Sequence, residues 1–395
     1  MTSSVKFSMA ALLLTVPTLW ADSVADAFAQ GSVGGQARLA YISQKNPALD
    51  PDTTAGAIGG QLKYETAPWY GVKLGVAAYV SQKIDALSGD ALKLNPDFFD
   101  AQGDSFAYIG EAYVQYGIDD FSVRVGRQQL DTPLADTDDI RMHPNTFEAA
   151  VATYTGLDKT TIIGGFVTRW AGFDSGDDIS KFKRLDGAAS KGAAVAGIIY
   201  EGVESLALQG WYYGIDDLAD AAYADAVYTL KSSETLSFEF GAQGAYFDER
   251  KNSGIDGNVA GAFAMADLGV VRLIGAANVA RSDGNKVVTN GFGGGPYFTS
   301  MEEMTIDGLN DAEAYTAILE ADFSSLGVEG LAAVAAYGHF ESGSVPSEEA
   351  KEIDLVVAYE FDNASAELSY AKIEDVNENL DGDWSRWLLR LNYNF

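Results

Sequence analysis

The sequence predicts an all-β protein, a transmembrane antiparallel up-and-down β-barrel of about eighteen strands. Three observations predict it. The final stretch alternates Trp387, Leu389, Leu391, Tyr393 and Phe395 with Arg386, Leu388, Arg390, Asn392 and Asn394. One face of that strand is apolar and ends on an aromatic, and the other is polar apart from Leu388. The same two-residue period recurs along the chain, with charges on one face of otherwise apolar strands. Finally, hydrophobic residues make up 47% of the chain, yet no run approaches the roughly 20 apolar residues of a spanning helix. Strands that are apolar outward and polar inward suit a barrel with lipid outside and water inside.

Composition narrows the class. Tyr 20, Phe 20 and Gly 42 against Pro 9 fit many strands and aromatic girdles better than helices. With no cysteine, disulfides and thiolate metal sites are excluded. Lys+Arg 26 against Asp+Glu 57 gives a net charge of −31, which argues against a nucleic-acid partner. The acidic residues concentrate in the expected loops, where they serve solubility.

Residues 1–21 read as a secretory signal: Lys6, a short apolar run from Phe7 to Val16, then small residues. Cleavage after Ala21 is favoured over Ala29, which leaves residues 22–395 as one barrel domain. Expected strands follow at Gln36–Tyr41, Gly60–Glu65, Val72–Tyr79, Phe106–Ile118, Phe121–Leu130 and Phe147–Leu157. The next six are Thr160–Trp170, Gly192–Tyr200, Ser205–Tyr213, Ala221–Leu230, Leu236–Asp248 and Asn258–Ala266. The last six are Val270–Arg281, Ala314–Phe323, Gly330–Phe340, Glu352–Phe361, Ala366–Glu374 and Trp384–Phe395. Tight turns at Asp119-Asp120 and Asn363 alternate with long polar segments at Lys83–Ser105, Asp131–Asn145, Ala171–Lys191 and Ser282–Asp311. Long loops at one rim and short turns at the other are the asymmetry of outer-membrane barrels.

Within strands, Val123, Val125, Leu236, Phe238, Phe240, Leu355, Val357 and Tyr359 are assigned outward, and Arg124, Glu239, Asp354 and Glu360 inward. Charges so placed need water beside them. The lumen is therefore expected to be polar, and too wide for side chains alone to fill.

The stretch Gly126-Arg-Gln-Gln-Leu-Asp-Thr-Pro-Leu134, followed by Asp139-Ile-Arg-Met-His-Pro144 and Phe147, resembles the OprD-type outer-membrane porins, closest to their ε-proteobacterial branch. Tyr64–Gly71 and Gly241–Asp248 look like segments of the same family, although Gly244 interrupts its usual Gln-Tyr pattern. Asp22–Gly31 resembles the family's periplasmic lead-in. The resemblance implies an eighteen-stranded barrel in a Gram-negative outer membrane, with its third long loop folded inward as a constriction. It also implies passive uptake of small polar solutes, in some members carboxylates or amino acids. The C-terminal strand is similar to that of bacterial outer-membrane proteins, which implies recognition by barrel-insertion machinery through Phe395. A homotrimer is left open, because a subunit interface and a lipid face both read as apolar strands.

Candidate site residues follow. Asp131, Asp136, Asp138, Asp139 and Arg141 lie in the expected constriction loop. Arg38 and Arg124 carry inward parity on the wall, and Arg127 gains it only with a bulge after Gly126. Carboxylates facing wall arginines would set up a transverse field that sorts solutes by charge. Lys181, Lys183 and Arg184 read first as surface charges and second as a basic track. Acidic turns at 136–139 and 174–178 lack a calcium-loop pattern, and no metal or cofactor is expected. Gly291–Pro296 lacks the Lys-Ser/Thr of a phosphate-binding loop and reads as a flexible external loop. His143 and His339 are too few for most zinc sites. His143 reads as a loop residue, with a pH-sensitive lining role ranked second. A Ser–His hydrolase within the barrel is disfavoured, since the serines nearest His339, Ser342 and Ser344, lie past the strand end. The reading is a diffusion porin rather than an enzyme. A general cation-selective porin and a plugged structural or adhesin-like barrel are the alternatives.

Overall fold

A computed structural model describes residues 20–46, 51–176, 178–185, 187, 189–233, 235–343, 347–377 and 382–395. Residues 1–19, most of the expected signal segment, lie outside this set. The structure is a closed antiparallel barrel of eighteen strands. They run Ser32–Lys45, Thr53–Glu65, Val72–Lys83, Phe106–Ile118, Phe121–Gln128, Thr146–Leu157, Thr160–Ala171, Ala193–Val203 and Leu206–Ile215. Then come Ala219–Lys231, Ser237–Glu249, Gly257–Asp267, Val271–Arg281, Glu313–Asp322, Leu331–Glu341, Glu349–Phe361, Ala364–Asp375 and Trp384–Asn394. Each expected strand appears. A two-residue strand, Lys183–Arg184, pairs with the rim of 160–171, and a small hairpin pairs Asp131 with Asp136. Before the barrel lies a short helix, Val24–Ala29.

Closure depends on the last strand pairing with the first, with Arg38 opposite Asn392 and Ala40 opposite Arg390. With both edges paired, no strand among the described residues is left as an open sheet edge toward lipid. The alternation read from sequence holds in that strand: Trp387, Leu391, Tyr393 and Phe395 are exposed outward, while Arg386, Leu388 and Arg390 are buried inward. It holds too for Leu355, Val357 and Tyr359 outward against Glu352 and Asp354 inward. The register through Gly244, opposite Ala260 and Ala224, runs unbroken. Positive φ at Asp119 and Asp362 turns the chain tightly at one rim.

The interior differs from a uniformly polar lumen. Segments 131–145 and 282–311 fold into the barrel and bury Leu134, Val288, Phe292 and Ile306 against Phe147, Trp170, Tyr213, Phe247 and Phe340 of the wall. Phe292 packs edge-on to Trp170 at 5.4 Å, and Phe147 stacks on Trp170. A smaller apolar cluster joins Ile42 and Leu388 to Phe98, Phe99 and Met142. Inward-folded loops thus supply the filling that wall side chains cannot.

The outward assignment predicts the effect of a charge at mid-strand. Leu355→Arg should weaken folding into phospholipid vesicles by about 2–4 kcal/mol in a denaturant titration. An unchanged midpoint would mean that Leu355 does not face hydrocarbon.

Candidate functional site

The two inward segments meet along a parallel bridge. The Asp136 N–H donates to the Phe292 carbonyl at 2.9 Å, and the Phe292 N–H to the Leu134 carbonyl at 3.0 Å. Close approach requires glycine here: a Cβ on Gly291 or Gly293, both at positive φ, would meet the backbone of Leu134 or Asp136. The expectation of a flexible external loop at Gly291–Pro296 is therefore corrected. Its glycines serve backbone-to-backbone docking inside the lumen.

From that bridge the 131–145 segment reaches the wall where the barrel closes. Arg38 holds the Asp139 carboxylate with two hydrogen bonds, 2.6 and 2.8 Å. It also donates to the Arg141 carbonyl at 2.6 Å and to Asn392 at 2.7 Å. Such bidentate geometry fixes direction as well as charge. Arg390 donates to the Asp139 carbonyl at 2.6 Å and pairs with Glu367. The Arg141 side chain instead pairs with other loops. Its guanidinium pairs with Asp97 of the 83–105 segment at 2.9 Å and with Glu303 of the 282–311 segment at 3.4 Å, and lies over the Phe173 ring.

The 282–311 segment is pinned from the other side. Arg386 pairs with Glu302 at 2.9 Å and with Glu303. Glu352 accepts from the N–H groups of Glu303 and Met304 at 2.9 and 2.7 Å, and Asp354 accepts from that of Glu302 at 3.2 Å. Arg38, Arg141, Arg386 and Arg390 are all buried.

The remaining candidates separate from this cluster. Arg124 faces inward, as its parity requires, but it bonds Gln115 at 2.7 and 3.0 Å and lies over the Tyr113 ring. Gly126 takes a φ of +129°, where a Cβ would strike the Ala112 carbonyl. The Arg127 guanidinium then covers the Phe182 ring at 4.2 Å and pairs with Glu148, which also faces Arg169 at 3.7 Å. Of the wall arginines read from sequence, Arg38 meets a carboxylate of the 131–145 segment, that of Asp139. Asp131 is exposed on the small hairpin. Lys181 pairs with Asp178, and Lys183 and Arg184 are exposed where they extend the rim.

Burial divides the aspartates. Asp138, at a φ of +30°, has its carboxyl pushed up to about 8, chiefly by desolvation and then by the charges of Asp174 and Asp136. Desolvation would raise Asp139 as well, but the charge and hydrogen bonds of Arg38 outweigh it and hold that carboxyl below its usual range. His143 is buried among the rings of Tyr79, Phe106 and Tyr108. Burial drops its pKa to about 4, so it stays neutral near pH 7 and is a packing residue rather than a neutral-pH switch. His339 faces Glu349 at 3.0 Å. Among the described residues no group of three or more acidic or histidine side chains is arranged to hold a metal ion.

Sequence reasoning missed Asp97, Glu302, Glu303, Glu352 and Glu367, and it did not link Arg386 and Arg390 to the site. Inward parity on the last strand was the available signal for the two arginines. For Asp97 and the 302–303 pair there was none, since loop direction has no period.

The model of the OprD family, outer membrane porins, matches residues 70–375. This chain belongs to that family. It is a porin of the Gram-negative outer membrane, a channel for small solutes and not an enzyme. Solved structures show the same fold. A BenF-like porin from Pseudomonas fluorescens Pf-5 matches with a TM-score of 0.83 at 14% identity, covering 93% of this chain and 99% of that one. OpdQ from Pseudomonas aeruginosa matches at 0.79 and 17% identity, covering 92% and 98%. OpdK from Pseudomonas aeruginosa, solved with vanillate, matches at 0.76 and 16% identity, covering 93% and 99%. No curated protein sequence matches the porin.

The guanidinium shared by Asp97 and Glu303 yields a test. Arg141→Leu leaves buried carboxylates short of a partner, a change that weakens such assemblies by roughly 3–5 kcal/mol. The barrel should keep its folded migration on a gel while protease cuts within 83–105 or 282–311 become faster. Unchanged cutting would show that Arg141 does not hold these segments.

Proposed function

We propose that this porin passes small hydrophilic solutes by passive diffusion through an eyelet bounded by the 131–145 and 282–311 segments, with a preference for cations. One observation carries the sign. Arg38, Arg141, Arg386 and Arg390 are buried and occupied by carboxylates or carbonyls. Asp131 and Asp136, by contrast, keep surface facing solvent, and Asp138 joins them as a negative charge only above about pH 8. A solute at the narrowest point meets what is exposed there, so selectivity follows the uncovered carboxylates rather than the covered arginines.

A second reading, carboxylate uptake, is favoured by Arg124, Arg127 and Arg169, which line another part of the wall with partly exposed guanidinium groups. It is also favoured by the vanillate bound to OpdK, an aromatic carboxylate. Reversal potential in a planar bilayer under a KCl gradient separates the two. A cation preference supports the first reading, an anion preference the second, and absence of current would leave a plugged barrel. Deleting Asp131–Asn145 should raise single-channel conductance, and an unchanged conductance would remove this segment from the eyelet.

The raised carboxyl of Asp138 adds a pH dependence with a definite sign. An acid titrating at about 8 is neutral below that pH and negative above it. The cation-to-anion permeability ratio should therefore rise between pH 6.5 and 9.5 (~1.5 units either side). Asp138→Asn should flatten the rise, and a rise of equal size in that variant would assign it to another group.

A further inference from the structure

The short helix Val24–Ala29 turns its apolar side away from the protein. Val24, Ala25, Phe28 and Ala29 are exposed, whereas Ala27 is buried against the barrel. At about 100° per residue the four exposed positions form one continuous stripe. A strap bathed in water would place such residues inward, but Val24 and Phe28 are 49% and 50% exposed.

The helix is nonetheless firmly held. The Ser23 hydroxyl accepts from the Asp26 N–H at 3.1 Å and caps the first turn. The Ala67 N–H donates to the Ala27 carbonyl at 2.9 Å, and the Tyr64 hydroxyl donates to the Phe28 carbonyl at 2.5 Å. Tyr64 lies on the same strand face as exposed Leu62, which is the lipid side. The Phe28 ring stacks on Tyr64 with centroids 6.4 Å apart and planes 21° apart. Val33, paired opposite Tyr64, is exposed on the same side, as are Tyr393 and Phe395 on the adjoining last strand. The apolar stripe of the helix is therefore continuous with the lipid-facing belt. It sits at the tight-turn rim, which is the periplasmic rim in an outer-membrane barrel.

We propose that residues 22–31 form an interfacial strap whose Val24, Ala25 and Phe28 insert among the phospholipid headgroups of the periplasmic leaflet. Exposed Asp22 stays in water. A short amphipathic helix with an aromatic on its apolar side partitions to this zone, and aromatic residues set depth there. The strap would fix how deep that sector of the wall sits.

The porin contains no cysteine, so one introduced thiol reports one position. Asp22→Cys, Val24→Cys, Ala25→Cys and Phe28→Cys would each carry an environment-sensitive fluorophore in the full porin folded into phosphatidylcholine vesicles. Probes at 24, 25 and 28 should be at least about threefold less quenched by aqueous iodide than the probe at 22. They should also be quenched by lipid spin-labelled near the headgroup. The position at 25 keeps the test valid if replacing Phe28 releases the helix, since Ala25 is exposed. Iodide quenching of 24 and 25 equal to that of 22 would overturn the strap. An intact mass placing the start of the mature chain after Phe28 would do the same.

Discussion

One buried guanidinium holds the interior of this porin together. Arg141 sits in the 131–145 segment, pairs with Asp97 and Glu303 from two other loops, and lies over Phe173 of a fourth. Its own carbonyl is held by Arg38 on the wall. A charge removed from water must find partners or the fold fails. Satisfying this one charge requires four separate segments to converge on a single point. Desolvation works against the charge, but the two carboxylates more than offset it and keep the group protonated.

Around that point the lumen has two chemistries. Where Phe147, Trp170 and Phe340 line the wall, the inward segments pack as a dry core, with Leu134 and Phe292 filling the space. Where the barrel closes, Arg38, Arg386 and Arg390 meet Asp139, Glu302, Glu303 and Glu367 in a charged layer. The apolar side sets where the segments lie across the pore. The charged side sets their orientation, because bidentate and backbone-directed hydrogen bonds tolerate little rotation. Selectivity then falls to the carboxylates left uncovered.

Much of the wall was legible from residues alone. Trp387 to Phe395 and Leu355 to Tyr359 each state their facing through a period of two, and a membrane enforces that period on every strand. Asp119-Asp120 and Asn363 marked tight turns through residue type. Gly244 raised a question of register, and the unbroken ladder through Ala224 and Ala260 answered it. The site was less legible. Asp139 was found with Arg38 because both lay in readable positions, yet Arg124, inward by parity, and Arg127, inward only with a bulge, turned to Gln115 and Glu148 instead. Parity states which face a side chain occupies and is silent on how far it reaches.

The sequence by itself determined the class of molecule, the strand pattern and the sidedness of the barrel, because solvent on the two faces of a spanning strand imposes a local, repeating rule. Only the tertiary structure decided what fills the pore. The glycines at 291–295 read as a mobile external loop until Leu134 and Asp136 were seen against them. Glu303 read as one acid among many until Arg141 and Arg386 were seen to share it. Such pairings join residues far apart in sequence through loops with no repeat. Their partners are set by burial and charge in three dimensions, and no local pattern encodes them.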